Sequence, residues 1–219
     1  WLYSFVEVIY TYDFRITYLN HHDNLFDGSC DYLDSCGECG GSGPEEGYDC
    51  EGNPLIFSQS VSLETGWNLW STYIDPSTNT FCDGLGASMV TIFSGIVDDV
   101  IIIKDQYGSV YWPAYGLNSI GCISNGKGYQ AKMSSDATLV VEGSLIPSDL
   151  DITLNEGWGM LGYLNQDCFD IEDMMSGVVE NVVIAKDKYG NVYWPDYGLN
   201  SIGNMCPGNG YQIKMAAES

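Results

Sequence analysis

The sequence predicts an α+β, strand-dominated chain: two tandem repeats, each with a β-hairpin, further strands and one short helix, after a Cys-rich loop segment. Three observations predict it. Residues 104–121, KDQYGSVYWPAYGLNSIG, return at 186–203 as KDKYGNVYWPDYGLNSIG, with fifteen of eighteen positions identical at a constant offset of 82. Such self-similarity marks duplicated supersecondary units. Short β-branched and aromatic runs separated by Gly and Asp turns recur through both copies, which is strand patterning. Residues 20–56 are by contrast rich in Asp, Gly, Cys and Glu and poor in aliphatics, so that segment cannot build an apolar core.

The elements follow in order. Residues 10–18 alternate, with Tyr10, Tyr12, Phe14, Ile16 and Tyr18 on one side and Thr11, Asp13, Arg15 and Thr17 on the other; this predicts a half-buried strand within an N-terminal segment, 1–19. Residues 20–56 form a Cys/Asp-rich linker. Repeat module 1 is expected over 57–147. Its predicted parts are strands at 61–63 and 66–70, a helix over 84–97 from the spacing of Leu85, Met89, Ile92, Phe93 and Ile96, and a buried β-branched strand at 100–103. A turn at 105–108 and a hairpin return at 110–112 follow, and Pro113 ends that strand or places it at an edge. Strands at 128–133 and 138–141 close the module. Module 2, 148–219, repeats the order: a strand at 152–154, Gly157-Trp158 matching Gly66-Trp67, a helix over 171–179, a strand at 182–185, a return at 192–194 and a closing strand at 210–215. The offset between copies is 91 at the Gly-Trp pair and 82 after the helix, so module 1 carries nine extra residues, expected in the loop around 75–86.

Composition bounds the function. The chain has 219 residues, 45% of them hydrophobic, so it is not disordered. Its 30 acids against 7 bases give a net charge of −23. That surface repels nucleic acid and anionic lipid, and no run approaches the roughly 18 apolar residues of a membrane span. Eight Cys, an even number in Gly- and Asp-rich surroundings, point to an oxidising compartment, extracellular or cell-surface. Trp1-Leu2-Tyr3 has neither an initiator Met nor a basic n-region, which reads as a processed product or a fragment of something longer.

Cys30, Cys36, Cys39 and Cys50 are expected in two disulfides, with a zinc site of four thiolates as the rival, although only one C-x2-C knuckle is present. The other Cys fall one pair per module at nearly equivalent places, predicting Cys82–Cys122 and Cys168–Cys206. Nine acids lie between Asp23 and Glu51. Asp23, Asp27, Asp31, Asp34, Glu38 and Asp49 are the candidate Ca2+ ligands, without EF-hand spacing; the competing reading is a solvated acidic linker.

In each copy Val-Tyr-Trp-Pro-x-Tyr-Gly supplies the candidate ligand-binding aromatics: Tyr111, Trp112 and Tyr115, then Tyr193, Trp194 and Tyr197. Flat rings on a strand edge suit stacking on sugar faces, and the same rings are ordinary core material. Alternation puts Tyr111 and Trp112 on opposite faces, so at most one of each pair is core. Trp67 and Trp158 are expected in the core. The only His are His21 and His22, outside the repeats, so no repeat holds a Ser-His-Asp or Cys-His set. No nucleophile elbow or phosphate loop appears, and catalysis is not expected.

The order Gly-Trp-Asn-Leu, short helix, Tyr-rich hairpin and Pro207-Gly208-Asn209-Gly210-Tyr211-Gln212-Ile213-Lys214-Met215 resembles the "GWNLI…PGKGYWV" modules of large secreted or cell-surface proteins of bacteria and archaea, especially of marine Bacteroidetes. The resemblance covers 61–215, departing at Gly159, where Asn is usual, and at Ser124-Asn125, where Pro-Gly is missing. Asp27-Gly28-Ser29-Cys30 with 34–41, DSCGECGG, is similar to the "DGSC…CGxCGG" linkers of the same proteins and to thrombospondin-like calcium-binding repeats. The resemblance implies extracellular display and accessory, repeated modules. The expected function is attachment or display, with a polysaccharide or cell-surface protein as partner. The alternatives are a fibre or appendage subunit that self-associates by strand addition through residues 10–19, and an accessory fragment of a larger secreted hydrolase.

Overall fold

The computed structural model describes residues 33–45, 47–76, 82 and 87–219. The expected N-terminal strand, His21-His22, Asp23, Asp27, Asp31, Cys30 and most of the 75–86 loop lie outside the described residues. The chain forms two units, Trp1–Pro44 and Glu45–Ser219.

In the first unit, residues 33–44 are a loop structure closed by a bridge between Leu33 and Cys39. Asp34 organises it, as its carboxylate accepts the amides of Cys36, Glu38 and Gly43 at 2.8–2.9 Å.

The second unit holds both repeats and is dominated by antiparallel strands. In chain order these are β1 (Phe57–Leu63), β2 (Gly66–Trp70), β3 (Ile74–Asp75), β4 (Val100–Lys104), β5 (Val110–Trp112), β6 (Leu117–Asn118), β7 (Tyr129–Met133), β8 (Ala137–Leu145), β9 (Gly157–Gly162), β10 (Phe169–Asp170), β11 (Val182–Lys186), β12 (Val192–Trp194), β13 (Leu199–Asn200), β14 (Asn204–Met205) and β15 (Gly210–Met215). One five-stranded sheet runs β2-β7-β4-β5-β6 and the other β9-β15-β11-β12-β13, the same order at equivalent positions. A three-stranded sheet, β1-β8-β3, accompanies the first, and a two-stranded pair, β10-β14, the second.

Each five-stranded sheet buries one face. In β7, Tyr129, Ala131 and Met133 point inward while Gln130 and Lys132 point outward, the period-2 alternation of a one-sided sheet. The first core gathers Trp70, Phe93, Ile103, Tyr111, Tyr129 and Met133, and the second Leu161, Tyr163, Ile171, Tyr193, Tyr211 and Met215. Trp70 meets Phe93 edge-on at 5.2 Å and stacks on Tyr129 at 5.4 Å.

Several expectations need correction. The helices are shorter than the spacing predicts: α1 is Met89–Ile92 and α2 is Ile171–Met175, each followed by a 3-10 segment, Ser94–Asp99 and Val179–Asn181. Gly95 and Gly177 stand just past the two helices, and glycine is a poor helix propagator. Residues 152–154 form no strand; Leu154 instead exchanges both backbone hydrogen bonds with Ser219 at 2.8–2.9 Å. The β-branched run of β4 is buried only at Val100 and Ile103, and Ile101 is exposed. Trp67 and Trp158 are not core residues: they are 49% and 53% exposed. Trp67 shares a sheet face with Leu69, whereas Asn68 and Trp70 take the inward face, so Trp70 supplies the indole that sequence reading assigned to Trp67.

Candidate functional site

The duplicated hairpin is built from local rules. Asp105 accepts the amides of Tyr107 and Ser109 at 2.8 Å each, closing the turn between β4 and β5; Asp187 does the same for Tyr189 and Asn191. Pro113 then starts a 3-10 turn, Pro113–Tyr115, as Pro195 does for Pro195–Tyr197, because proline fixes φ near the helical value. Gly116 and Gly198 end these turns in the left-handed region, φ 61° and 59°, where glycine is favoured. The chain then reverses, and Leu117 pairs with Trp112 and Leu199 with Trp194.

This turn brings Tyr115 back onto Trp112, edge-to-face at 4.6 Å, and Tyr197 onto Trp194 at 4.5 Å. Trp112 is 36% exposed and Tyr115 75%; Trp194 is half-buried and Tyr197 exposed. Tyr111 and Tyr193 take the opposite face and are core residues, 4% and 5% exposed. They leave the ligand-binding set because alternation turns them inward. Burial pushes both phenols above the usual tyrosine range.

The sheet register extends this surface. Trp67 on β2 lies opposite Lys132 on β7, and Lys132 opposite Ile102 on β4. Because Ile103 pairs with Tyr111 on the inward face, Ile102 and Trp112 share the outward one. Trp67 and Trp112 therefore stand on one face, three strand spacings or about 14 Å apart. A second row, Leu69, Gln130, Lys104 and Val110, crosses the same face. The second sheet carries Trp158, Lys214 and Ile184 in one row and Met160, Gln212, Lys186 and Val192 in the next, with Trp194 at its far side. Lys104 and Lys132 both sit over the Trp67 ring, 5.2 and 5.7 Å from its centroid, and Lys186 sits over Trp158 at 5.2 Å. Sequence reading missed these residues. Their signal was the alternation in Tyr-Gln-Ala-Lys-Met and Tyr-Gln-Ile-Lys-Met, which puts Gln and Lys outward.

The disulfides Cys82–Cys122 and Cys168–Cys206 are formed as the spacing predicts. Cys36, Cys39 and Cys50 are also disulfide-bonded, which displaces the zinc reading for these three. Of the calcium candidates, Asp34, Glu38 and Asp49 lie among the described residues. The oxygens of Asp34 are engaged by backbone amides, with the Glu38 amide foremost in holding its carboxyl below the usual range. Asp49 is engaged by the side chain and amide of Asn53 and the amide of Glu51, with the Asn53 side chain the main cause of its lowered value. Among the described residues no three of His, Cys, Asp and Glu converge on a cation. Nor is any described helix long and apolar enough to cross a membrane.

Comparison with known protein families, curated proteins and solved structures gives no match.

Proposed function

We propose that this chain is a non-catalytic extracellular or cell-surface module that binds polysaccharide through its duplicated sheet faces. The observation that carries the reading is the exposed edge-to-face pair Trp112–Tyr115, rebuilt at the same place in the second sheet as Trp194–Tyr197. An indole held in one orientation by a neighbouring ring offers apolar area at little further entropic cost. Two such sites on one chain gain by avidity on a repeating polymer. The disulfides support the oxidising compartment that the reading needs. The tandem "GWNLI…PGKGYWV"-type assignment belongs to the same proposal, supported by the repeated sequence and by the matching strand order of the two sheets.

The test is intrinsic Trp fluorescence during titration with a panel of neutral and charged polysaccharides. A saturable change that disappears in Trp112→Ala/Trp194→Ala, with the far-UV circular dichroism unchanged, supports the reading. No response to any glycan, or a response untouched by the double variant, sinks it.

A further inference from the structure

The lysines of this chain are placed against expectation. The sequence holds 30 acids and six lysines, so a lysine placed at random meets a carboxylate easily. Yet among the described residues there is one salt bridge, Lys188 to Glu64 at 3.3 Å. Lys104, Lys132, Lys186 and Lys214 make none with a described residue. They stand together on the outward faces of the two five-stranded sheets, two per face, at equivalent positions. The companion positions in the same rows are Gln130 and Gln212, neutral side chains that add donors. In β7 and β15 no acid faces outward among them.

Two ammonium groups gathered over one indole repel each other, and among the described residues no carboxylate forms a salt bridge with either. The Trp67 quadrupole offsets part of this. What the ring adds is position: it holds both ammonium groups over one patch, so their N–H donors are pre-ordered for a single partner. A chain of net charge −23 keeps anions away from most of its surface. Among the described residues the two faces stand apart, each carrying two lysines without a salt bridge, flanked by Trp67 and Trp112 or by Trp158 and Trp194.

We infer that the two outward faces bind an anionic polysaccharide, one whose sugars carry carboxylate or sulfate groups. Lys104 with Lys132, and Lys186 with Lys214, take the charges, and the flanking indoles take sugar faces. The inference rests on the polysaccharide reading above and names the ligand class. A polymer is favoured over a single sugar because the indoles of one face are about 14 Å apart and the face is duplicated.

The test pairs dextran with dextran sulfate, and adds polygalacturonate as the carboxylate probe, by isothermal titration on the full chain. The expected result is binding of one or both charged polymers and weaker or no binding of dextran. In Lys104→Gln/Lys132→Gln affinity drops by about tenfold, which corresponds to about 1.4 kcal/mol; Lys104→Arg/Lys132→Arg retains it. In the unmodified chain the affinity must fall as NaCl rises, since exposed charges are screened, so a failure of the variants to fold leaves this arm standing. Salt-independent binding of the charged polymers overturns the inference. So does charged-polymer binding that survives all four lysine-to-glutamine changes. Dextran binding lost in Trp112→Ala/Trp194→Ala, with no response to charged polymers, overturns it while leaving the general polysaccharide reading intact. If the lysine variants abolish only self-association, seen by analytical ultracentrifugation, the occupant is the acidic surface of a second copy and the inference fails.

Discussion

The amide of Ser71, just past β2, donates to the carbonyl of Gly208 at 3.1 Å, and at the equivalent positions the amide of Gly162 donates to Gly126 at 2.9 Å. Trp70 likewise bridges to Asn209, and Leu161 to Lys127. Each repeat thus offers the end of its first sheet strand and the Gly-rich approach to its last one, and receives the same pair from the other. This is the reciprocity of a two-fold interface, realised within one chain. Its two halves are not identical. Ser71 also donates its hydroxyl to Asn209 O at 2.6 Å and accepts the Tyr163 amide at 3.0 Å. Gln106 reaches from the β4–β5 turn to accept the Met160 amide at 2.9 Å, while its counterpart Lys188 pairs with Glu64.

Backbone approaches this close require glycine. A Cβ on Gly210 would lie 2.7 Å from Trp70 O, and one on Gly128 would lie 2.7 Å from Leu161 O. Gly210→Ala and Gly128→Ala are each expected to destabilise the chain by about 1–3 kcal/mol through overpacking against backbone. Gly177→Ala, with open space around its Cβ, is the control and stays within about 0.5 kcal/mol. Urea unfolding of the three variants decides it; equal midpoints would refute the interface role.

Much of this architecture was legible. The 82-residue offset located the hairpins, β7 and β15, and the equivalent placement of Cys82, Cys122, Cys168 and Cys206 gave both disulfides. What escaped was decided by contacts distant in sequence. Trp67 and Trp70 are three residues apart, on opposite faces of one strand, and a five-residue strand that opens on Gly66 does not announce which face the core will claim. Gly159 read only as a departure from Asn. In the first sheet Asn68 clamps its own turn, donating to Glu64 O at 2.6 Å and accepting the Glu64 amide at 3.0 Å. In the second, Gln106 lies where that side chain would start, 3.2 Å from a Cβ on Gly159. The lysine faces needed the register, because Lys104 and Lys132 meet only across β4 and β7.

The two disulfides close loops of similar size, with separations of 40 and 38 residues. Cys168→Ser/Cys206→Ser is expected to cost about 4 kcal/mol by the chain-entropy estimate. The bridge joins the segment just before β10 to the one just after β14, two strands that pair over two residues, Phe169 with Met205 and Asp170 with Asn204. So short a pairing has little cooperativity of its own. Amide exchange in the double variant should rise first at Ile171, whose N–H is bonded to Gly203 O at 2.9 Å. Unchanged protection there would contradict this account.

Tyr211 and Tyr129 hold equivalent loops. The Tyr211 hydroxyl accepts the Cys206 amide at 2.9 Å, and Tyr129 accepts the Ser124 amide at 2.8 Å. Replacing either by Phe leaves an amide without its acceptor, at a cost of about 1–3 kcal/mol. Burial pushes the Tyr211 phenol up to about 12 and raises Tyr129 in the same direction. A raised folded-state value means that the folded chain holds the proton more tightly than the unfolded one. The contribution is therefore complete below pH 10.0, the ordinary tyrosine value, and is lost as pH rises toward about 12. Absorbance at 295 nm should show Tyr211 and Tyr129 ionising above pH 10.0 and together with unfolding.

Acid acts on the opposite sign. Asp136, in the turn between β7 and β8, accepts both the hydroxyl and the amide of Thr65 at 2.7 Å, tying that turn to the one between β1 and β2. These bonds, the hydroxyl's first, hold its carboxyl below the ordinary 3.8. A depressed folded-state value contributes stability that is present above pH 3.8 and is lost as pH falls through the lower folded value. The Thr65 amide resonance in a two-dimensional NMR titration should therefore hold its shift down to about pH 4 and move only below it. Asp136→Asn abolishes that titration, because the amide oxygen still accepts one bond but no longer ionises. A Thr65 shift that titrates identically in the variant would place the proton elsewhere. Lys132, on the outward face of β7 four residues before Asp136, would then keep its lysine-face role while the turn lost its assigned anchor.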